Sequence, residues 1–434
     1  MSGGDSRPPA DEPSGATKPS AVAWALFDWA TSPFAAVIVT FVFPAYFGRA
    51  VVGDEVRGTA LWGWMMGLNG LALAFLAPIV GAAVRRGTVR RNWLRGLILV
   101  ATISTYGLWW VRPEEASIEL ALWLVAIAIV AIELAFVLVN AMLPEIATGD
   151  DLGFWSGMAW GIGYVAGLVG LTAFLYGVLL PSPPPLSLDV ATAEPARLAG
   201  PIVAAWLLLF SLPLMLARVP RATPAGRSGE QPLSIAGRLR QMLVTLREHP
   251  PIARFLLARA IYNEGLNTLF AFGGLFAAGT FGMSIDQVLM FGIVLNLTAG
   301  LGASGFGLIE DRLGSVPTLL VALAGLLACG SLAIATMDVS LFWVAGAGLG
   351  VFVGPAQAAS RTFLARLAPP DQRNELFGVM ATTGRVTAFI CPTLVSGVTL
   401  LLSSQRAGMV VILVLWGTGM ALLWPLRSGT ERAR

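Results

Sequence analysis

The sequence predicts an all-α integral membrane protein with twelve transmembrane helices in two six-helix halves. Three observations carry this reading. Charged residues are 12% of the 434-residue chain and hydrophobic residues 56%, whereas a soluble chain carries about 25% charge. Apolar runs of about 20 residues, the length that crosses a bilayer as a helix, recur along the chain. Short matches at a near-constant offset relate the first half to the second.

The elements follow in chain order. Residues 1–20, rich in Pro, Ser, Gly and Asp, read as a disordered cytoplasmic tail. The apolar stretch after it continues into a full span, so the first helix is read as retained rather than cleaved as a signal peptide. The spans are expected near 22–47, 60–84, 94–112, 118–146, 153–180, 198–217, 254–280, 286–309, 316–337, 339–365, 376–402 and 406–426. Spans one to six make an N-terminal bundle over 21–217, and spans seven to twelve a C-terminal bundle over 254–427. A tail follows over 428–434. Between the bundles, 218–253 opens with Pro220, Pro224, Gly226 and Gly229. It then places Ile235, Leu239, Met242, Leu243 and Leu246 at helical spacing among Arg238, Arg240 and Arg247. This is the pattern of a basic amphipathic helix on the cytoplasmic lipid surface; a solvated linker helix is the plainer alternative. Pro181 to Pro185 read as a stiff loop on the outside.

Arginines set the orientation. With the N-terminus inside, 21 of the 28 Lys and Arg residues fall in cytoplasmic segments. Only Arg49, Arg57, Arg112, Arg197 and Arg406 fall outside. The positive-inside rule therefore places both termini in the cytoplasm.

The same census excludes several chemistries. Lys18 is the sole lysine, so no Walker phosphate loop exists, and His249 is the sole histidine, so no HExxH site exists. Cys329 and Cys391 both lie in apolar runs, which excludes a CxxC pair, a zinc knuckle or a secreted disulfide framework. No G-x-S-x-G elbow occurs. The expectation is a non-enzyme with no cofactor and no metal. A net charge of +3 gives no basic surface for nucleic acid.

The halves match at three places. Asp28, Ser32, Phe34 and Ala35 align with Glu264, Thr268, Phe270 and Ala271. Gly81-x-x-x-Arg85-Arg86 aligns with Gly307-x-x-x-Asp311-Arg312. Gly157, Gly163 and Val165 align with Gly378, Gly384 and Val386. Two six-helix halves repeated in one direction are the architecture of major facilitator transporters.

Longer motifs point the same way. W-A-L-F-D-W-A-T-S-P-F-A-A-V-I (Trp24 to Ile38) resembles the opening signature of the unknown major facilitator family, whose fungal relatives are autophagy-linked vacuole effluxers. Ala258 to Gly274, Ala277 to Ser284 and Gly354 to Pro370 resemble the same family. The resemblance covers about 21–427. It implies a monomeric transporter of the facilitator fold, and its fungal branch implies amino acid release. One lysine against 27 arginines suggests a GC-rich bacterial genome, and hence a plasma membrane. The superfamily's loop after span two has the form G-x-x-x-D-R, but Arg85 stands at the acidic position here. The second half keeps Asp311-Arg312. The resemblance implies that these loops latch the halves, so Arg85, Arg86, Asp311, Arg312 and Arg361 are the candidate gating residues.

A charge at the centre of a span costs about 2.5–3.5 kcal/mol or more, so each invites a functional reading. Asp28 lies in span one with Thr31 and Ser32 one turn on. Span four carries Glu133 and Asn140, seven apart and on one face. Span seven carries Arg259, Asn263 and Asn267 as a stripe, with Glu264 beside it. Gln357 and Arg361 lie one turn apart in span ten, and Arg385 is in span eleven. These residues form the candidate substrate and coupling cavity. The plainer readings are that Asp28 fixes the start of its span, that Glu145 is an interfacial or latch residue, and that Arg259 and Glu264 neutralise one another. Their separation of five is poor for a direct helical pair. Arg385 is expected to pair with Glu264 or Asp28. Asn69 and Asn296, and the Gly163, Gly167, Gly170 row, read as helix packing. Trp24, Trp62, Trp109, Trp110 and Trp424 read as interface anchors.

Carboxylates and guanidinium groups in one cavity suit a small polar metabolite carrying both charges, such as an amino acid, because Arg grips a carboxylate bidentately. A buried carboxylate, Glu133 or Glu264, can carry a proton, which makes proton coupling the expected mode, and the resemblance to the fungal effluxers implies the export direction. The alternative is a non-transporting, lipid-handling or receptor-like membrane protein that keeps the fold.

Overall fold

The computed structural model describes residues 18–83, 87–147, 151–181, 187–217, 237, 240, 244, 246–283, 285–369, 372–387 and 390–427. Residues 1–17 and 428–434, Arg85, Arg86, the 182–186 loop and most of the expected surface helix lie outside these, while Lys18 to Ser20, expected in the disordered tail, are already helical. Within 237–248, Gly237, Arg240, Val244 and 246–248 are helical.

Among the described residues twelve long helices follow in order. They are α1 (Ser20–Val51), α2 (Glu55–Ala83), α3 (Gly87–Gly107), α4 (Ile118–Ile146), α5 (Leu152–Phe174) and α6 (Ala199–Leu216). The second six are α7 (Pro250–Phe281), α8 (Ile285–Leu313), α9 (Ser315–Ala335), α10 (Val339–Leu367), α11 (Arg373–Val386 and Ile390–Leu402) and α12 (Gln405–Leu423). Among the described residues nine of them are long and apolar enough to cross a membrane. The others are α3, α7 and α11, and each departs for a visible reason. Arg90, Arg91 and Arg95 crowd the start of α3. Arg259, Asn263, Glu264 and Asn267 interrupt α7. The path of α11 bends at Thr387.

Pro33 has no N–H to donate, and directly after it α1 widens into π-helical turns over Phe34–Phe41, then again over Phe47–Val51.

The packing itself repeats. In the first half α1 lies on α5 and α6, α3 on α4 and α6, and α2 on α4. Each pairing recurs six helices later: α7 on α11 and α12, α9 on α10 and α12, and α8 on α10. This is the major facilitator fold of two like-oriented six-helix halves. Between the halves, α5 meets α8 and α2 meets α11, with α4 and α5 also touching α10.

Small residues permit the α5–α8 approach. A Cβ on Gly157 would lie 2.3 Å from the Ala303 carbonyl oxygen, and one on Gly307 would lie 2.7 Å from that of Gly153. Gly161 meets Gly300 and Ser304 in the same seam. The other face of α5 presents Gly163 to Asp28 and Ser32, and Gly170 to Pro33. The expected glycine row therefore packs between helices, with α1 as its partner, and a second glycine row serves the partner half.

Candidate functional site

The halves converge at the end formed by the C-termini of α4, α8 and α10 and the N-termini of α5 and α11. Arg361 of α10 is the centre of this closure. It is 3% exposed and crosses into the first half. Its Nε donates to the Ser156 hydroxyl at 3.0 Å, and its Nη2 to the Ser156 carbonyl at 2.6 Å. Its Nη1 donates to Asp28 Oδ2 at 3.2 Å and Asn140 Oδ1 at 3.4 Å. The guanidinium lies over Trp24 at 4.6 Å from the ring centroid, and Trp160 is 5.9 Å away. Ser156 in turn donates to the Ala358 carbonyl at 2.8 Å. A buried guanidinium with a carboxylate, an amide and a stacked indole is a satisfied ion pair, and every partner belongs to the opposite half.

Asp311 closes the same end one layer further out. Its two carboxylate oxygens accept from the backbone N–H groups of Gly153 and Phe154 at 2.7 and 2.8 Å. These are free donors of the first turn of α5, where the helix dipole favours a negative charge. Arg366 of α10 donates to the same carboxylate at 2.7 Å. Neighbouring Glu310 is buried and accepts from Ser315 at 2.6 Å. Arg312 points out and is exposed. Glu145 pairs with Arg90 within its own half. Half-buried Arg373, at the start of α11, is drawn below its ordinary pKa by burial, against which the nearby Glu145 acts.

A second group lies on α7 against α11. Arg259 is half-buried; its Nη1 donates to the Met380 carbonyl at 3.2 Å, and its Nε is buried with no partner among the described residues. Glu264 is 3% exposed. Its Oε1 accepts from the Thr387 hydroxyl at 3.0 Å, and its Oε2 is buried without a partner among the described residues. Arg259 and Glu264 thus bond to separate groups on α11 and do not pair. Asn263 is buried, with Gly384 opposite it, while Asn267 is exposed. Thr268, at the repeat position of Ser32, is fully buried.

The structure brings Asp28, Asn140 and Arg361 together, and groups Arg259, Asn263 and Glu264. Glu133 and Gln357 are half-buried, one on α4 and one on α10. Asp28 pairs with Arg361, and the expected pairing of Arg385 with Glu264 or Asp28 falls on a side chain outside the described residues. One expectation changes. Trp24 is no interface anchor: it is 0% exposed, donates to the Val139 carbonyl at 2.7 Å and floors the Arg361 site. An indole near a span end reads the same in sequence whether it faces headgroups or the partner half. Ser156, Trp160 and Arg366 carry no sequence signal of their own. Among the described residues no three His, Cys, Asp or Glu side chains gather as a metal site.

Comparison with known proteins agrees with the fold. The family model described as vacuole effluxer Atg22 like matches residues 49–152 and 155–434. The chain is 23% identical over 403 residues to the uncharacterized MFS-type transporter YxiO of Bacillus subtilis, covering 92% of this chain and 93% of that one. It is 25% identical over 294 residues to autophagy-related protein 22 of Cryptococcus neoformans, covering 63% of this chain and 52% of that protein. Among solved structures, the E. coli fucose:proton symporter FucP superposes with a TM-score of 0.74 at 14% identity, over 94% of this chain and 98% of that chain. An outward-facing bacterial homologue of the iron transporter ferroportin gives 0.71 at 12% identity, over 95% and 100%.

Proposed function

Since the chain belongs to the vacuole effluxer Atg22-like family and is a multi-pass major facilitator transporter, we propose that it moves a small zwitterionic metabolite of the amino acid class. Movement is by alternating access across a bacterial plasma membrane, in the export direction and coupled to protons. The observation that carries this reading is the pair of opposite charges left open on α7. Arg259 Nε and Glu264 Oε2 are both buried without partners among the described residues. An unpaired buried charge is costly, and a ligand presenting a carboxylate to one and an ammonium to the other relieves both costs at once. Asn263, beside them, supplies an amide that can both donate and accept.

In this reading the Arg361–Asp28 pair and the Asp311 cap hold shut the cytoplasmic end. The arginine distribution supports that placement. Glu264 or Glu133 carries the proton. The complete Asp311 cap favours a working gate over a non-transporting relative of the fold.

The test uses purified protein in proteoliposomes with a panel of radiolabelled amino acids. Glu264→Gln keeps shape but removes titration. Proton-driven accumulation should fail in a folded Glu264→Gln while substrate-for-substrate exchange survives. Normal accumulation in that variant would remove Glu264 from coupling. No saturable flux of any amino acid would sink the substrate class.

A further inference from the structure

The start of α3 carries more positive charge than the other described residues neutralise. Arg90, Arg91 and Arg95 sit in its first three turns. The N-terminus of a helix already bears partial positive charge, so cations there are disfavoured unless an anion is near. Arg90 is matched by Glu145 through two hydrogen bonds. Arg91 and Arg95 have no acidic partner among the described residues.

Neither arginine is simply reaching into water. Arg95 Nε donates to the Met215 carbonyl at 2.8 Å, which ties α3 to the last turn of α6 and holds the guanidinium in place. Arg91 Nε is buried with no partner among the described residues. A topology signal needs only charge on the correct side; it does not need guanidinium groups fixed by the protein.

Below the arginines the surface turns apolar on the same stripe. Arg91, Arg95, Leu99 and Ile103 follow one another at four-residue intervals, so they share one face of α3. Leu99 and Ile103 are 44% and 68% exposed. On neighbouring α6, Leu209, Leu212 and Leu216 are exposed at helical spacing. Trp93 lies exposed beside the arginines, and indoles favour the membrane interface.

We propose that this joint face of α3 and α6 binds an anionic phospholipid, with its phosphate held by Arg91 and Arg95 and an acyl chain along Leu99, Ile103 and Leu212. Charge complementarity fixes the headgroup class, and the apolar stripe beneath it favours a lipid over a soluble anion. A basic pocket between spans is a known form of headgroup recognition. Here the anion also completes the dipole balance of α3.

The test is competition on the purified full-length protein. Native mass spectrometry and thermal shift are run with phosphatidylglycerol, with phosphatidylcholine, and with inorganic phosphate or glycerol 3-phosphate alone. Wild type should bind one phosphatidylglycerol with saturation, in preference to phosphatidylcholine by about 25-fold, each arginine contributing about fivefold. Arg91→Gln with Arg95→Gln should bring that preference close to unity. Arg57→Gln, at the opposite end and paired with exposed Glu115, should leave it intact. Equal binding of the two lipids by wild type would overturn the proposal without recourse to any variant. So would a folded double variant that keeps the preference. Displacement of the lipid by inorganic phosphate at equal concentration would mean a soluble-anion site and would also overturn it. Should the double variant fail to fold, Arg91→Gln alone decides, with a loss of about fivefold expected and no loss refuting.

Discussion

Replacing Gly157 with alanine adds one methyl group where the two halves come closest. The new Cβ would lie 2.3 Å from the Ala303 carbonyl oxygen and 2.8 Å from Gly307 Cα. Both neighbours are backbone, so neither can swing aside. Ordinary contact begins at 3.4 Å, so α5 and α8 must part by about 1 Å along this seam. Overpacking of this kind costs about 1–3 kcal/mol. Alanine also stabilises a helix interior by about 1 kcal/mol over glycine, but α5 is helical in either access state, so that gain cancels. What remains acts on the closed end alone. It shifts the balance about 5- to 150-fold toward the state with that end open. Spin labels at Asp151 and Arg312, with Cys329 and Cys391 replaced, report the separation across the seam by double electron–electron resonance. A longer-distance population should appear in Gly157→Ala. An unchanged distance distribution in a well-folded variant would refute the reasoning, because the seam would then not govern closure.

Further tests probe the same end and the orientation. Asp311→Asn removes a charge from two backbone N–H groups and Arg366, a loss of about 1.5–3 kcal/mol per charged hydrogen bond, and should slow transport sharply. Arg85→Ala should be tolerated far better, and equal sensitivity at the two positions would mean that these loops act on topology instead. Arg361→Gln leaves Asp28 buried without its cation, which costs about 3–5 kcal/mol. Thermal stability should fall, and Asp28→Asn in the same chain should restore part of it; strictly additive losses would deny the pairing. Reporter tags at both termini and at Ser228 should read cytoplasmic and one in the Pro183 loop external, and a periplasmic reading at either terminus would reverse the assignment of the closed end.

The fold was legible because a bilayer imposes length and polarity on each span separately. Arg90 and Arg95 blur the edge of α3, yet the run after them still has the right length. The site was legible only in part. Asp28, Asn140 and Arg361 stand out as polar residues in apolar runs, and that signal is local. Which of them meet is not local: Arg361 and Asp28 lie 333 residues apart, and no spacing rule links them. Ser156 and Trp24 were missed as members of the site because a serine or an indole in a span is unremarkable by itself. The separation of five between Arg259 and Glu264 did carry information, and the two residues reach different groups on α11.

The seam of Gly153, Gly157 and Gly161 on α5 against Gly300, Ala303 and Gly307 on α8 also has an entropic consequence. Burying a leucine or isoleucine freezes rotamers worth about 0.5–1 kcal/mol each, while glycine and alanine have none to lose. A closure zipped by large side chains would surrender that freedom each time the end shut and regain it each time the end parted, deepening one state against the other. A backbone-on-backbone seam forms and separates with almost no change in side-chain disorder. In the proposed alternating-access cycle the two states can then lie close in free energy, so a gradient or a ligand worth only a few kcal/mol is enough to drive the cycle between them.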